Sequence, residues 1–278
     1  VRISADSTCD LGRELCEKYN ITIAPLSVII DGVSFHDGVD VSAEAIFRAV
    51  EEGKTVKTSA VNRFEYEELF SGMLKECDEV VHFCISKDMS SCYQDACDAA
   101  KALGHVYVVD SRNLSTGTGL LVLEAAEMAA MGYGGQEIAG TEQRRTEKVC
   151  SSFTVQDIGY LYRGGRCSGL EAIGAKLMRI RPSIEVKDGK MHPAEKYRGS
   201  YEHYIKHYIK DKMKEVEDCV DYKRVFITHS PCEAGMVEYA EEMLREYGHF
   251  REILDTTCGC TVAVHCGPNT LGILFMNK

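Results

Sequence analysis

Three strand-like runs end in small polar residues: the opening run in Asp6 then Ser7-Thr8, the Val80 run in Ser86 then Ser90-Ser91, and the His105 run in Asp110-Ser111. A fourth pair, Thr58-Ser59, stands just ahead of Asn62. In an open parallel sheet, ligands gather at the carboxyl ends of the strands. Small hydroxyls beside helix N-termini form an uncharged, mildly positive cradle there, suited to a carboxylate. The same residues serve equally as ordinary helix caps. His265 closes an apolar run and is followed by Gly267-Pro268. A strand ending there places the imidazole at a domain mouth, able to close on whatever the hydroxyls hold; a core histidine bonded to a backbone carbonyl fits the same spacing. Arg166, in the turn Gly164-Gly165-Arg166, and Arg198, four residues after Ala194, each offer a guanidinium to a phosphate or a partner's carboxylate, or simply to solvent.

Known catalytic templates fit poorly. Gly117-Thr118-Gly119 begins like a dinucleotide fingerprint, but Val122 holds the third glycine position. No phosphate-binding G-x-x-x-x-G-K-[ST] loop and no G-x-S-x-G elbow occurs, and no carboxylate pair stands out as an acid/base couple. His203 and His207 have helical spacing, yet Tyr204 stands where a zinc protease needs glutamate, and both lie opposite an apolar stripe. The densest thiol group is Cys258, Cys260, His265 and Cys266. On an extended strand residues of equal parity share a face, so Cys260 and Cys266 point one way and His265 the other, and no metal is expected. The residues offer a binding site more readily than a catalytic one.

The elements that must position them alternate. Arg2 to Ala5, Ile21 to Ile30, Val80 to Ile85 and His105 to Val109 read as strands. Ser42 to Glu52, a segment opened by an Asn62/Glu65 capping box, Cys92 to Leu103 and Leu114 to Met131 read as helices. That alternation implies a parallel sheet covered on both faces. After about Cys150 the pattern changes to a hairpin turning at Asp188-Gly189, a helix from Tyr201 to Val216, a strand Arg224 to Thr228 followed by a helix Ala234 to Tyr247, and a closing strand pair, Cys260 to His265 and Leu271 to Phe275. The expected architecture is α/β in two domains, a parallel-sheet domain over 1–150 and an α+β domain over 151–278, packed closely because no Pro-, Gly- or Ser-rich linker separates them.

Composition narrows the function. With 278 residues, 45% hydrophobic and 27% charged, the chain can bury substantial cores. Its 32 Lys and Arg against 43 Asp and Glu leave a net charge of -11, which disfavours nucleic acid and anionic membranes as partners. The apolar stretch Thr118 to Ala130 is broken by Glu124 and Glu127 and falls short of the roughly 20 residues a spanning helix needs. From Val1 onward no basic stretch leads into an apolar segment, so no secretory signal is expected. The 13 scattered cysteines, an odd number without a C-x-x-C, suit reduced thiols and a cytoplasmic location.

Eight segments, in order, carry a family resemblance: DSTCDL, IAPLSVIIDG followed by His36-Asp37, Thr58-Ser59, ISKDMSSCYQDA, VVDS, LYRGGR, IRPSIEVKDGK and VHCGPNTLGI. The chain resembles the DegV family of fatty-acid-binding proteins. The resemblance implies two α/β domains with one long-chain fatty acid buried between them, and no other cofactor or metal. It implies that Thr58, Ser90 and His265 hold the carboxylate, with Gly267 of the histidine's motif and the hydroxyls of Ser7, Thr8, Ser59 and Ser91 completing the ligand site. The protein would be a carrier without catalytic residues, presenting the acid to a separate ATP-dependent fatty-acid kinase that makes the acyl phosphate for phospholipid synthesis; Arg166 and Arg198 match arginines assigned to docking that kinase. The chain departs from the family pattern where TSQP becomes Thr58-Ser59-Ala60-Val61, SGTY becomes Ser90-Ser91-Cys92-Tyr93 and GPG becomes Gly267-Pro268-Asn269. The alternative is an enzyme acting on a small carboxylate or phosphate, with Ser90 as nucleophile or His265 as base.

Overall fold

The computed structural model describes residues 1–167 and 180–278. In chain order the first part comprises β1 (Arg2–Asp6), a 3-10 turn (Ser7–Cys9), α1 (Arg13–Tyr19), β2 (Ile21–Ala24), β3 (Ser27–Ile30), β4 (Val33–His36), α2 (Ala43–Glu51), β5 (Val56–Ser59) and α3 (Arg63–Met73). There follow β6 (Val80–Cys84), α4 (Cys92–Leu103), β7 (Val106–Asp110), α5 (Ser115–Ala130) and α6 (Gly135–Arg145). The rest comprises β8 (Val149–Thr154), α7 (Ile158–Gly164), β9 (Arg181–Lys187), β10 (Lys190–Tyr197), α8 (Tyr201–Val216), β11 (Val220–His229), α9 (Met236–Tyr247), β12 (Glu252–Thr257), α10 (Cys260–Cys266) and β13 (Leu271–Asn277).

Local chemistry starts many of these elements. Asn62 accepts from the N–H groups of Phe64 and Glu65 while Glu65 takes the Asn62 N–H, the reciprocal box expected for α3. Ser42 caps α2 and Ser200 caps α8. Asp188 and Gly189 both adopt positive φ, as a two-residue turn between β9 and β10 requires.

Three sheets form. β2-β1-β6-β7 is wholly parallel, β10-β9-β8-β13-β11-β12 is antiparallel except at the β11–β12 pair, and β4-β3-β5 is antiparallel. Helix α5 packs against strands of both larger sheets, and its first twelve residues are all buried. Its glycines permit this approach: a Cβ on Gly119 would lie 2.8 Å from the Cys9 carbonyl oxygen, and one on Gly117 would lie 2.2 Å from Asn113 Oδ1. The resemblance of this segment to a nucleotide loop is therefore a packing requirement. Helices α8 and α9 contribute Tyr204, Ile205, Ala240 and Leu244 to a further core with β11 and β13. Among the described residues no helix is long and apolar enough to cross a membrane, and the thirteen cysteines are free thiols.

The α/β architecture with a parallel sheet first and a mixed sheet later agrees with expectation, but two segments differ. Ile21 to Ile30 is two strands in different sheets, not one, because Pro25 lacks the N–H that a continuous ladder needs. Cys260 to His265 is a helix, not a strand, despite its β-branched Thr261, Val262 and Val264. Strands β4, β5, β8 and β12 and helices α1, α6 and α7 carry weaker local signals and emerge only in the fold.

Candidate functional site

A cavity of about 520 Å3 opens between the parallel-sheet part and the later part of the chain, within the roughly 300–1,000 Å3 usual for small-molecule sites. The first part supplies Thr8 from the 3-10 turn, Thr58 and Ser59 from the end of β5, and Ser90 and Ser91 from the start of α4. The later part supplies Arg166 after α7, Met191 from β10, and Thr261, Val262, His265 and Cys266 from α10. Leu26, Ile85, Met89 and Leu114 complete an apolar wall. A narrow apolar space of about 30 Å3 shares Leu114, Val262 and Cys266 with the main cavity.

Polar groups cluster around His265. Its Nε2 lies 2.9 Å from Thr58 Oγ1. Its buried Nδ1 has no hydrogen-bond partner among the described residues and packs against Gly164, where a Cβ would lie 2.3 Å away. A buried N–H without an acceptor is costlier than a bare lone pair, so we assign the proton to Nε2. Nε2 then donates to Thr58, leaving the threonine hydroxyl proton for a ligand oxygen. Burial, with the nearby Arg166 charge, depresses the imidazole pKa to about 4, so the ring is neutral at physiological pH. The hydroxyl oxygens of Thr8 and Thr261, both buried on the cavity wall, likewise lack partners among the described residues. Ser90 Oγ accepts the Cys92 N–H at 3.3 Å and donates to Cys92 Sγ at 3.2 Å. Ser91, N-cap of α4, has φ -77°, so the family's glycine is replaced there without backbone strain. Asn269 takes φ +54°, a left-handed conformation asparagine tolerates.

The structure thus brings Thr8, Thr58, Ser59, Ser90, Ser91 and His265 to one cavity and leaves two expected residues off its wall. Ser7 is consumed structurally: Oγ donates to Asp37 at 3.0 Å and accepts the Leu26 N–H at 3.1 Å. Gly267 has φ +77° and lies under the Tyr160 ring, where a Cβ would be 2.6 Å from Cδ2, so its role is in packing. The Asp110-Ser111 pair serves as a local cap: Asp110 Oδ1 accepts the Lys87 and Arg112 N–H groups. Arg166 is exposed, lines the cavity and donates from Nη1 to the Gly164 carbonyl at 2.8 Å. Arg198 is exposed just past β10, away from that wall. Thr261, Val262 and Cys266 were not anticipated. Read at helical period, Thr261 and Val262 fall on the His265 and Cys266 side, so the strand assignment hid them.

Metal-ligand composition occurs once among the described residues, in buried Asp6, His82 and Cys84. Their polar atoms are already engaged: Asp6 accepts from the Tyr66 hydroxyl and the Ile85 N–H, and His82 bridges Asp6 at 3.2 Å and Ser4 Oγ at 2.9 Å. This is a structural network. The thiol group at 258–266 is not gathered for a metal: Cys260 Sγ donates to the Val41 carbonyl and His265 bonds Thr58. A larger groove of about 640 Å3 beside α8 has Lys212 paired to Glu185 and Glu215, and Arg112 to Asp188 and Glu147, so its strongest charges are neutralised internally.

Asp10 lies behind the cavity, its carboxylate accepting from the Ser115 hydroxyl and the Gly259 N–H. Burial pushes its pKa up to about 8, against those donors and with Asp37's charge adding. Unfolded, the group titrates near about 4. Between these values the folded state holds the extra proton, so stability falls as pH rises through that window. Asp10→Asn, at a left-handed position (φ +51°) that suits asparagine, is expected to remove this decline. Thermal unfolding at pH 6 and pH 8.5 checks it; equal slopes in the two proteins would refute the assignment.

A family model described as "Uncharacterised protein, DegV family" matches residues 1–278. A DegV domain-containing protein of Caldanaerobacter subterraneus is 30% identical over 280 residues, covering 100% of this chain and 99% of its own. Among solved structures, a DegV family protein from Thermus thermophilus, described for its fatty acid binding, superposes with a TM-score of 0.91 at 27% identity over 100% of this chain and 99% of its own. A DegV lipid binding protein from Thermotoga maritima gives a TM-score of 0.86 at 28% identity, covering 99% of this chain and 98% of its own.

Proposed function

The chain belongs to the DegV family, and from that premise we propose that it binds one long-chain fatty acid, head at the hydroxyl and imidazole cluster and tail along the apolar wall. The observation that carries this reading is the set of cavity-lining polar atoms without partners among the described residues, Thr8 Oγ1, Thr261 Oγ1 and the Thr58 hydroxyl proton freed by His265, in one cavity with a wall built from Leu26, Ile85, Met89, Leu114 and Val262. Each buried methylene contributes about 0.8 kcal/mol, so a dozen supply about 10 kcal/mol before association costs. The head group needs only to be oriented. Neutral donors do this while leaving the carboxylate nucleophilic.

The finer reading is a carrier without catalytic residues of its own, lying between a body of 1–150 and one of 151–278, in a reducing cytoplasm. It would present the acid to an ATP-dependent kinase for acyl-phosphate formation, with Arg166 at the cavity mouth and Arg198 on the exposed hairpin end facing that partner. The alternative, a small-substrate enzyme, has less support. Ser90 Oγ bonds Cys92 rather than a base, and an imidazole with a pKa near 4 is a weak base at neutral pH. Mass spectrometry of an organic extract of natively purified protein should recover one fatty acid per chain. A blank extract that stays blank after incubation with mixed fatty acids would overturn the proposal.

A further inference from the structure

Helix α10 carries four cavity residues, yet nothing local explains why it is a helix. It has seven residues, far below the about 12–15 that a helix needs to persist alone, and its N-cap is Gly259, which brings no side-chain acceptor. Its free N–H groups are instead taken by side-chain carboxyl oxygens from the start of the chain. Asp37 Oδ1 accepts the Cys260 N–H at 2.6 Å, Asp37 Oδ2 accepts the Thr261 N–H at 3.1 Å, and Asp10 Oδ1 accepts the Gly259 N–H at 2.8 Å. Ser7 Oγ donates to Asp37 Oδ2 and fixes the carboxylate from the other side. Asp37 is 2% exposed and lines no part of the cavity. Negative charge at a helix N-terminus is favourable, most of all where solvent is excluded.

We propose that Asp37 is a positioning residue for the ligand site: it seats the N-terminus of α10 and thereby sets the imidazole of His265 against Thr58, across the junction between the two parts of the chain. One charged side chain acts on the site from more than 220 residues away in sequence. It makes the head-group constellation a product of both halves, so the site forms only when the later part docks on the earlier one. Gly259 belongs to the same device, because a Cβ there would lie 3.0 Å from Asp37 Oδ1 and 3.2 Å from Asp10 Oδ1.

The proposal rests on the fatty-acid reading only for its affinity arm. In Asp37→Asn, which keeps the side-chain shape, the hydrogen-bonded Nε2–H signal of His265 should shift or vanish in proton–nitrogen spectra of the full chain without ligand. cis-Parinaric acid should bind roughly 10- to 100-fold more weakly, the usual consequence of losing hydrogen bonds to a charged acceptor. Introduced into His265→Ala, the same substitution should lose most of its effect, since it acts through the ring. Full additivity, or an unshifted imidazole with unchanged affinity, overturns the proposal. Should Asp37→Asn fail to fold, Gly259→Ala, which crowds the carboxylate but retains it, should shift the same imidazole signal; an unchanged signal in that folded variant overturns it too. A shifted imidazole in a protein that takes up no fatty acid would refute the fatty-acid reading and leave this one standing.

Discussion

Val262→Phe is expected to lower affinity for a long-chain fatty acid by about tenfold, with a smaller loss for a medium-chain acid. Val262 and its neighbours Leu114 and Cys266 wall both the main cavity and the narrow apolar space beside it, so a ring there takes up room that the tail would occupy. The larger side chain takes the room of about two methylenes, and excluding these forfeits about 1.5 kcal/mol, which is the source of that factor. Overpacking commonly costs about 1–3 kcal/mol of stability, but here the ring has the cavity to enter, so the fold should persist. Titration with acids of increasing length measures the effect. Equal losses at every length would place the tail elsewhere and remove the narrow space from the binding path.

Gly164→Ala should also weaken fatty-acid binding, and by an indirect route. Gly164 ends α7, where helix propensity alone favours alanine by up to about 1 kcal/mol. The added methyl, however, would meet His265 Nδ1 at 2.3 Å and Cγ at 3.2 Å, so the imidazole must leave its place and break the 2.9 Å contact with Thr58. Fatty-acid affinity should fall by roughly tenfold, one hydrogen bond to the head group, while the melting temperature changes little. In a His265→Ala background the methyl has room, and Gly164→Ala should then be neutral for binding. A loss of equal size in both backgrounds would show that the glycine serves the turn alone.

The division between what was legible and what was not follows the range of the interactions. The capping box at Asn62 and Glu65, the helix Tyr201–Val216, the helix Cys92–Leu103 and the Asp188-Gly189 turn are specified by residues three or four apart, and the structure reproduces them at or within a residue or two of their expected limits. The polar strand ends were legible for the same reason, since small hydroxyls beside helix starts have a local signature. Their allotment was not. Of two adjacent hydroxyls, Ser7 is consumed by Asp37 and Leu26 whereas Thr8 faces the cavity, and the difference lies in partners 19 and 30 residues away.

By itself, the sequence determined an α/β chain, a parallel-sheet part first and an α+β part later, with hydroxyl pairs at strand ends and no recognised catalytic template. Tertiary structure decided where the site is and what completes it. The β-branched run Thr261 to Val264 reads as a strand on propensity, and becomes a helix because Asp37 and Asp10, remote in sequence, satisfy its free N–H groups. That change of period moves Thr261, Val262, His265 and Cys266 onto the cavity wall. Propensities of a few tenths of a kcal/mol per residue yield to buried hydrogen bonds, those to the Asp37 carboxylate each worth about 1.5–3 kcal/mol, and those bonds exist only once both parts of the chain have packed.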